Sequence, residues 1–220
     1  MQTEGIKVAF CDVDGVFNSL RTVLGTGRTA YRFIEEQRDW LDWIAIGLMR
    51  RLVEDYPDLK FVLSSTWRID GSRTPAEVAA EAGAFLGLPF IDCTDTGGPI
   101  RGAEIQRWLD AHPEVTNYVI IDDDSDMLES QAPHFVQTLY ADGVRFCHFL
   151  AMKRILGGEL GGLYRRERFW EMAEVPCTDS EFDESLKAGF HDACPNGLTL
   201  TQAFFRPSSV EPAPDATDAN

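Results

Sequence analysis

IKVAFCDVDGVFN, at residues 6–18, holds the strongest structural pattern in the chain. Its apolar side chains alternate with other residues from Ile6 to Phe10 and then give way to Asp12 and Asp14. Alternation with a period of two predicts a buried β-strand, and the acids that follow predict a polar loop at its carboxyl end. This segment therefore predicts a strand that presents two carboxylates.

Shorter versions of this pattern recur along the chain. Predicted strands cover residues 59–63, 89–91, 118–121 and 135–139, and predicted helices cover residues 40–53, 75–86 and 102–109. The second helix begins after Thr74-Pro75-Ala76-Glu77, which combines an N-cap, a proline at the first helical position and a capping-box glutamate. Strands and helices that alternate in this way predict an α/β fold with a doubly wound, Rossmann-like parallel sheet. Functional residues in such folds lie just beyond the carboxyl ends of the strands.

The composition is that of a folded protein with a substantial core. The 220 residues are 44% hydrophobic and carry a formal net charge of −16. We do not expect so acidic a chain to bind nucleic acid non-specifically, because phosphate binding relies on clustered positive charge. We expect a single α/β domain over residues 1–206, followed at 207–220 by a disordered acidic tail with little to bury.

The cysteines and the apolar runs exclude several classes of protein. The five cysteines are odd in number, scattered and never in CxxC spacing, which argues against a disulfide framework or a zinc site. No apolar run approaches the roughly 20 residues that span a bilayer. The N-terminal residues also lack the layout of a signal peptide. We therefore expect a cytoplasmic protein with no membrane partner.

Acidic residues follow two of the predicted strands. Asp12 and Asp14 come after the first strand, the run at 122–126 contains four aspartates after the strand at 118–121, and Ser64 ends a strand between them. If both acidic strands are central, these carboxylates meet at one edge of the sheet. Close like charges there require a cation, and oxygen ligands suit Mg²⁺. Either cluster alone fits ordinary loop acids or helix N-caps equally well, but the two clusters together favour a metal site.

Four segments of the chain then form a family pattern. DVDGVFN (12–18), VLSSTWR (62–68), RGAEIQRWL (101–109) and VIIDDDSDM (119–127) resemble, in this order, the four motifs of the haloacid dehalogenase-like (HAD) phosphohydrolases. The resemblance spans about residues 5–138. It is greatest to the small HAD domains of nucleic-acid repair proteins, akin to the phosphatase half of polynucleotide kinase-phosphatase. It implies a sheet of the HAD type and a dependence on Mg²⁺.

The resemblance also implies a role for each motif residue. Asp12 would be the nucleophile that forms an aspartyl-phosphate, and Asp14 would act first as general acid and then as general base. Ser64 would donate a hydrogen bond to a phosphoryl oxygen. Mg²⁺ would be held by Asp12, the backbone carbonyl of Asp14, and Asp122 or Asp123.

The third motif departs from the family pattern at its cation. The family usually has lysine, whereas this chain has Arg101, and no lysine lies between Ser64 and Asp122. Arginine is always charged and can grip two phosphoryl oxygens, so it can take over the role of the lysine. In the alternative interpretation Arg101 is a surface residue at the start of a helix. Activity is then weak or absent, or Lys153 folds back to the site.

The spacing of the motifs implies little or no conventional cap over the site. HAD enzymes commonly carry a cap after the first or second motif. Here the intervals from Asp14 to Ser64 and from Ser64 to Arg101 are filled by predicted helices, loops and a strand. An uncapped site is open, and in this family openness suits large substrates such as nucleic-acid ends or phosphoproteins.

Four arginines are candidate substrate-binding residues. Arg21, Arg28 and Arg32 lie in the acid-free stretch 19–32, which we expect to form a flap above the site. Local positive charge there would steer a phosphate-rich substrate to one place. Arg68, at the end of the second motif, is a candidate for binding a second phosphate or a nucleotide. Three solvated loop arginines fit the flap sequence equally well.

Residues 139–195 have two interpretations. HFVQT (134–138) resembles a late core strand, which in similar proteins is soon followed by a Gly-Leu-Thr segment, yet here NGLTLTQAFF appears only at 196–205. Residues 139–195 are then an insertion rich in aromatic residues and glycine. Alternatively, residues 140–146 close the core and the rest is a packed C-terminal extension.

These observations lead to three functional hypotheses. The first is a Mg²⁺-dependent phosphomonoesterase whose substrate is a nucleotide or a polynucleotide 3′-phosphate end. The second is a phosphatase of phosphoproteins or small metabolites with the same chemistry. The third is a catalytically inactive HAD-like binding module, which the missing lysine favours and the intact pair of Asp12 and Asp14 opposes.

Overall fold

The computed structural model describes residues 5–69 and 72–158, which form a five-stranded parallel sheet with helices on both faces. The strands are β1 (Ile6–Cys11), β2 (Leu59–Leu63), β3 (Phe90–Cys93), β4 (Val115–Asp122) and β5 (Phe135–Gln137). Their spatial order is β3-β2-β1-β4-β5. The doubly wound α/β class predicted from the sequence is therefore confirmed.

Helices of different lengths connect and cover these strands. They are α1 (Leu20–Thr26), α2 (Trp43–Asp55), α3 (Pro75–Leu86), α4 (Arg101–Ala111) and α5 (Phe146–Leu156). Short 3-10 helices cover Glu35–Trp40, Thr66–Arg68 and Glu129–His134. Helices α2, α3 and α5 pack on one face of the sheet, and α4 packs on the other.

The central strand β1 shows why both faces of the sheet are covered. Ala9 and Cys11 point into the larger core with α2, α3 and α5, whereas Val8 and Phe10 point into the smaller core with α4. A strand turns successive side chains to opposite faces, so an unbroken apolar run needs helices on both sides. The run from Val8 to Cys11 is accordingly buried throughout.

The order of the strands reverses next to β1. The chain passes from β1 outward to β2 and β3 and then returns to place β4 on the other side of β1. Ala9 lies opposite Val119, and Cys11 lies opposite Ile121. The carboxyl ends of β1 and β4 are therefore neighbours at the reversal point, which is where open α/β sheets bind their ligands.

Helix α2 begins later than the sequence predicted. We expected a helix from Trp40, but α2 begins at Trp43 because the side chain of Asp42 accepts hydrogen bonds from the first helical N–H groups. Ile44, which the sequence pattern places on the apolar face, is 79% exposed. Helix α3, by contrast, occupies Pro75–Leu86 as predicted, with the capping box in place.

The sequence pattern does not reveal helices α1 and α5. Helix α1 has seven residues, is capped by Ser19 and Gly27, and buries none of its side chains. A helix without a buried face has no apolar periodicity to detect. Helix α5 does bury one face, including Phe149, Met152 and Ile155, against the larger core. It lies in the segment for which the sequence offered two interpretations.

The described part of that segment is residues 139–158, which form a turn and α5. Residues 159–195, and with them most of the predicted insertion, lie outside the described residues. The same holds for the segment at 196–205 and for the tail at 207–220. The single domain over 1–206 stays a prediction.

The described chain between the motifs holds no separate cap domain. α1, a 3-10 helix and α2 lie between Asp14 and Ser64, and α3 and β3 lie between Ser64 and Arg101. α2 and α3 pack on the sheet and leave α1 and its loop as the flap. Within residues 5–69 and 72–158, no helix combines the length and the apolar character needed to cross a membrane.

Candidate active site

Three carboxylates converge at the carboxyl ends of β1 and β4. Asp12 follows β1, Asp122 ends β4, and Asp123 comes next in the chain. Each offers an oxygen, and these oxygens lie within 4.8 Å of one another. We call these three residues the acidic cluster. Asp12 and Asp122 are buried and Asp123 is half-buried, so the fold brings together three of the predicted metal ligands.

The environment of the acidic cluster opposes ionisation of all three groups. Burial raises the pKa of Asp12, although the charge of Arg101 and a side-chain hydrogen bond with Ser65 act in the opposite direction. Burial, and then the charge of Asp12, raises the pKa of Asp122 well above its usual value. The same two causes raise the pKa of Asp123 to about 7. A bound cation would remove this electrostatic cost.

The cluster fits a magnesium ion by its chemistry. Carboxylate oxygens are hard ligands of the type that Mg²⁺ prefers. Asp122 Oδ2 is buried and has no hydrogen-bond partner among the described residues, although buried polar atoms in proteins are nearly always partnered. An orphaned carboxylate oxygen beside two further carboxylates is what a cation site requires.

A tight turn after β1 carries the first motif past the cluster. Gly15 adopts a φ of +67°, and a Cβ atom built on it would lie 2.2 Å from the carboxyl carbon of Asp123. The turn therefore needs glycine both for its backbone conformation and for the close approach of a carboxylate. The hydroxyl of Thr138, just after β5, donates a 2.7 Å hydrogen bond to the Gly15 carbonyl and ties the turn to the sheet.

Asp14 lies on this turn, and its side chain is held at both oxygens. Asn18 Nδ2 donates to Oδ1 at 2.6 Å, and the indole Nε1 of Trp67 donates to Oδ2 at 2.9 Å. Asn18 Nδ2 also donates to the carbonyl of Ala30 in the flap at 2.9 Å. The side chain of Asp14 stands outside the acidic cluster. Asn18 and Trp67 lie inside the first and second motifs, and we predicted no role for them from the sequence.

The two serines after β2 point to different neighbours. Ser64 accepts a 3.5 Å hydrogen bond from the hydroxyl of Thr94. Ser65 accepts from the backbone N–H of Trp67 at 3.4 Å, and hydrogen bonding by its side chain is one of the causes that act to lower the pKa of Asp12. We predicted from the sequence that Ser64 donates to a phosphoryl oxygen, and that role stays a prediction. Ser65, the next residue, is the serine whose side chain interacts with Asp12.

Arg101 is the first residue of α4, and its side chain reaches the acidic cluster. Its Nη2 lies 3.8 Å from Asp12 Oδ2, and its Nε lies 3.7 Å from Asp122 Oδ2. The side chain is 11% exposed, and its Nη1 is buried without a hydrogen-bond partner among the described residues. Lys153, the alternative cation, instead pairs with Asp55 of α2 at 2.7 Å.

Arg68 does not face the acidic cluster as a free phosphate ligand. Its guanidinium donates to the backbone carbonyls of Ser65, Thr94 and Asp95, and it forms a 2.6 Å ion pair with Glu104 of α4. These contacts join the loop after β2, the loop after β3 and helix α4. The structure therefore gives Arg68 a scaffold role where we expected a substrate ligand.

The three flap arginines have separate surroundings. Arg21 pairs with Asp42, the N-cap of α2. The guanidinium of Arg28 lies over the ring of Trp40, 5.1 Å from its centroid, and Arg32 is exposed. No contact in the described part of the chain joins these arginines to the acidic cluster.

Comparison with known proteins agrees with this geometry. A family profile described as the HAD domain in Swiss Army Knife RNA repair proteins matches residues 8–146, more than half of the chain. No curated protein and no solved structure gives a significant match. The resemblance inferred from the four motifs is thus confirmed at the level of the family. The chain belongs to the HAD domains of Swiss Army Knife RNA repair proteins, and this membership supports a hydrolase of the phosphatase type as its general class of activity.

Proposed function

We propose that this protein is a Mg²⁺-dependent phosphomonoesterase that forms an aspartyl-phosphate on Asp12. The observation that carries the proposal is the convergence of three carboxylates within 4.8 Å, with the Arg101 guanidinium 3.7–3.8 Å from two of them. A nucleophilic carboxylate next to a phosphate dianion needs neighbouring positive charge. Arg101, and a Mg²⁺ ion held by the acidic cluster, would supply it.

The residues of the acidic cluster would hold the Mg²⁺, together with the backbone carbonyl of Asp14. When bound, the ion supplies positive charge that offsets the repulsion between the carboxylates and the phosphoryl oxygens. Asp12 is the member of the cluster that also contacts Ser65, and this hydrogen bond orients its carboxylate. We therefore expect Ser65 to contribute more than Ser64 to hydrogen bonding at the reacting groups.

The reaction balances with the residues present. An Asp12 oxygen forms a bond to phosphorus while the bond from phosphorus to the leaving oxygen breaks, and Asp14 gives its proton to that oxygen. The Asp14 carboxylate then takes a proton from a water molecule as the water oxygen attacks phosphorus, which releases inorganic phosphate and restores Asp12. The net reaction converts a phosphate ester and water into an alcohol and inorganic phosphate.

Arg101 supplies the fixed cation on the protein side. Its Nη1 has no partner among the described residues, so a phosphoryl oxygen is a suitable acceptor for that donor. A guanidinium can hold two oxygens of a planar group at once, whereas an ammonium acts as a point charge. The arginine therefore replaces the usual lysine without loss of charge and with an added orienting bond.

We infer that the substrate is a phosphorylated nucleotide or a polynucleotide 3′-phosphate end. Membership in a family of RNA repair HAD domains supports this class. So does the absence of a cap domain in the described chain, because an open site admits a large substrate. Arg28 and Arg32 are exposed on the flap and would contact phosphates beyond the terminal one, while Arg21 is held by Asp42.

The proposal is tested by phosphate release with and without Mg²⁺. The substrates are nucleoside 3′- and 5′-monophosphates, a 3′-phosphorylated oligonucleotide, a phosphopeptide and an aryl phosphate. We expect metal-dependent release that is fastest from a 3′-phosphate. A preference for the phosphopeptide would identify a protein phosphatase instead. No release from any substrate would point to an inactive binding module.

Asp12→Asn is the control in this experiment. We expect it to lower turnover by about 10⁴-fold or more, because an amide cannot form the phosphoenzyme. The fold should remain intact, since the substitution is isosteric and removes a buried charge. Wild-type turnover in Asp12→Asn would contradict the mechanism.

A further inference from the structure

The general acid of the proposed reaction, Asp14, has a carboxylate that is held at both of its oxygens. Each oxygen of Asp14 accepts one hydrogen bond, at 2.6 Å from Asn18 Nδ2 and at 2.9 Å from Trp67 Nε1. A carboxyl group that is bonded at both oxygens cannot rotate freely about its own axis. Each oxygen has two lone-pair sites, so sites remain for the transferred proton.

Both donors are themselves fixed by neighbouring residues. The Trp67 ring packs against Phe33, just after the flap, with ring centroids 4.9 Å apart, and Phe33 packs against Phe85 of α3 at 5.7 Å. The backbone N–H of Trp67 donates to Ser65, the same residue that contacts the nucleophile. The indole N–H is thus held in place from two sides.

Asn18 is anchored in a similar way on the opposite side of Asp14. Its side chain is buried, and its Nδ2 donates both to Asp14 and to the carbonyl of Ala30 at 2.9 Å. Its backbone N–H closes the turn after β1 by donating to the Val13 carbonyl at 3.0 Å. Asp14 is therefore oriented both by Trp67 of the second motif and by Asn18, which is itself bonded to the flap.

We propose that Trp67 and Asn18 are positioning residues that aim the Asp14 carboxyl group at the leaving-group oxygen. This inference rests on the proposed function, because it assigns them a part in the proton transfer of that reaction. Proton transfer depends steeply on the placement of the acid, and a well-placed acid typically accelerates such a step by about 10²–10⁴-fold. A loosened acid matters for an alkoxide leaving group and hardly at all for a leaving group that departs without a proton.

The test compares two substrates in one variant. Trp67→Phe keeps a six-membered aromatic ring to pack against Phe33 and removes the five-membered ring that carries the indole N–H donor. The value of kcat/KM is measured with adenosine 3′-monophosphate, whose leaving group is an alkoxide, and with p-nitrophenyl phosphate, whose leaving group needs no proton. We expect a loss of roughly 10- to 100-fold for the first and less than about threefold for the second.

Trp108→Phe is the matched control. Its indole Nε1 also donates to an aspartate, Asp92 Oδ2 at 2.8 Å, but this bond joins α4 to β3 away from Asp14. The control removes the same type of hydrogen bond at a place that does not contact Asp14. We therefore expect both kcat/KM values to stay within about threefold of the wild type. A second measurement uses no substrate. The indole ¹⁵N–¹H resonance that disappears in Trp67→Phe should shift in Asp14→Asn.

The outcomes separate this inference from the proposed function. Equal losses for the two substrates in Trp67→Phe, or losses matched by Trp108→Phe, would overturn the positioning role while the phosphatase stands. An indole resonance that does not move in Asp14→Asn would overturn the bond itself. A wild-type protein that releases phosphate from neither substrate would overturn the proposed function, and the positioning role with it.

Discussion

Arg68 and Arg101 lie at the same edge of the sheet, yet their surroundings are opposite. Arg68 donates to three backbone carbonyls and pairs with Glu104 at 2.6 Å. Arg101 approaches Asp12 and Asp122 only at 3.8 and 3.7 Å, and its Nη1 has no partner among the described residues. Arg68 uses its donors in hydrogen bonds within the protein, whereas Arg101 keeps a donor that a bound ligand could use.

The same contrast extends to the other polar atoms of the molecule. In residues 5–69 and 72–158, the buried side-chain atoms without a hydrogen-bond partner are Asn18 Oδ1, Arg101 Nη1, Asp122 Oδ2, Asp126 Oδ1, Gln137 Oε1 and Arg145 Nε. All but the last belong to the strand ends, the loops and the start of α4 around the acidic cluster. Buried polar groups in scaffolds are nearly always satisfied. The clustering of these unpartnered atoms therefore distinguishes the candidate active site from the rest of the fold.

The largest effect is expected where the scaffold arginine is removed. Arg68→Ala removes the ion-pair partner of Glu104 and the guanidinium bonds to three backbone carbonyls. Breaking a buried ion pair typically costs about 3–5 kcal/mol of unfolding free energy. Urea or thermal unfolding measures this loss. Arg107→Ala is the matched control. Arg107 lies in α4, the helix that also contains Glu104, and it pairs with Asp95 in an exposed ion pair. We expect that change to leave the free energy of unfolding close to that of the wild type, because solvent screens an exposed ion pair. Similar losses in both variants would erase the contrast.

Removal of the site arginine should affect catalysis more than stability. Arg101→Ala takes away a donor and a charge from the transferring phosphoryl group, so we expect turnover to fall by roughly 10²–10³-fold. Arg101→Lys restores the charge and should recover activity to within about tenfold of the wild type. Steady-state phosphate release measures both. If Arg101→Ala keeps full turnover, the unpartnered donor is not directed at substrate.

The two adjacent serines after β2, Ser64 and Ser65, allow a finer comparison of two hydroxyl groups. Ser65→Ala removes the hydroxyl that contacts Asp12, and we expect turnover to fall by about tenfold, the effect of one hydrogen bond to a charged group. Ser64→Ala removes an acceptor of Thr94 and should change turnover by less than about threefold. The measurement is kcat for the two variants side by side. The reverse order would return the role to Ser64.

The smallest effect is expected from magnesium on stability, and it should depend on pH. The pKa of Asp123 is raised from its usual 3.8 to about 7, so its protonated form stabilises the metal-free fold. That contribution is complete below about pH 4 and is lost as the pH rises through 7. We therefore expect Mg²⁺ to raise the melting temperature more at about pH 8 than at about pH 5, since protons and metal compete for the carboxylates. Asp123→Asn should reduce this difference, and an equal rise at both pH values would contradict the site.

Much of the site could be predicted because its acidic residues directly follow the apolar segments that form the strands. Asp12 and Asp122 follow apolar runs that form β1 and β4, and parallel strands place such residues at one edge. The capping signature at residues 74–77 likewise located the start of α3. These features depend on local sequence and on the periodicity of the strand, which a single sequence displays.

The remaining features depend on where a side chain points or on what covers it. Arg68 resembles a phosphate ligand in sequence, and only its tertiary contacts with Glu104 and with the carbonyls of two loops show that it is buried. The choice between Ser64 and Ser65 turns on one step of the backbone after β2. Trp67 and Asp14 are 53 positions apart in the sequence, and no local sequence pattern predicts their contact.

The central position of β1 also has a consequence for the order in which the protein assembles. Phe10 pairs with Val62 on one side and with Ile120 on the other, so the second pairing closes a loop about twice as long. Contacts between residues so distant in sequence form slowly, because chain entropy is lost before the pairing compensates for it. A nascent chain that ends before β4 already carries Asp12 and Asp14 but not the other two members of the acidic cluster, Asp122 and Asp123. The acidic cluster therefore forms only once β4 has paired with β1, and an ion that binds there stabilises strands that are already paired rather than guiding their pairing.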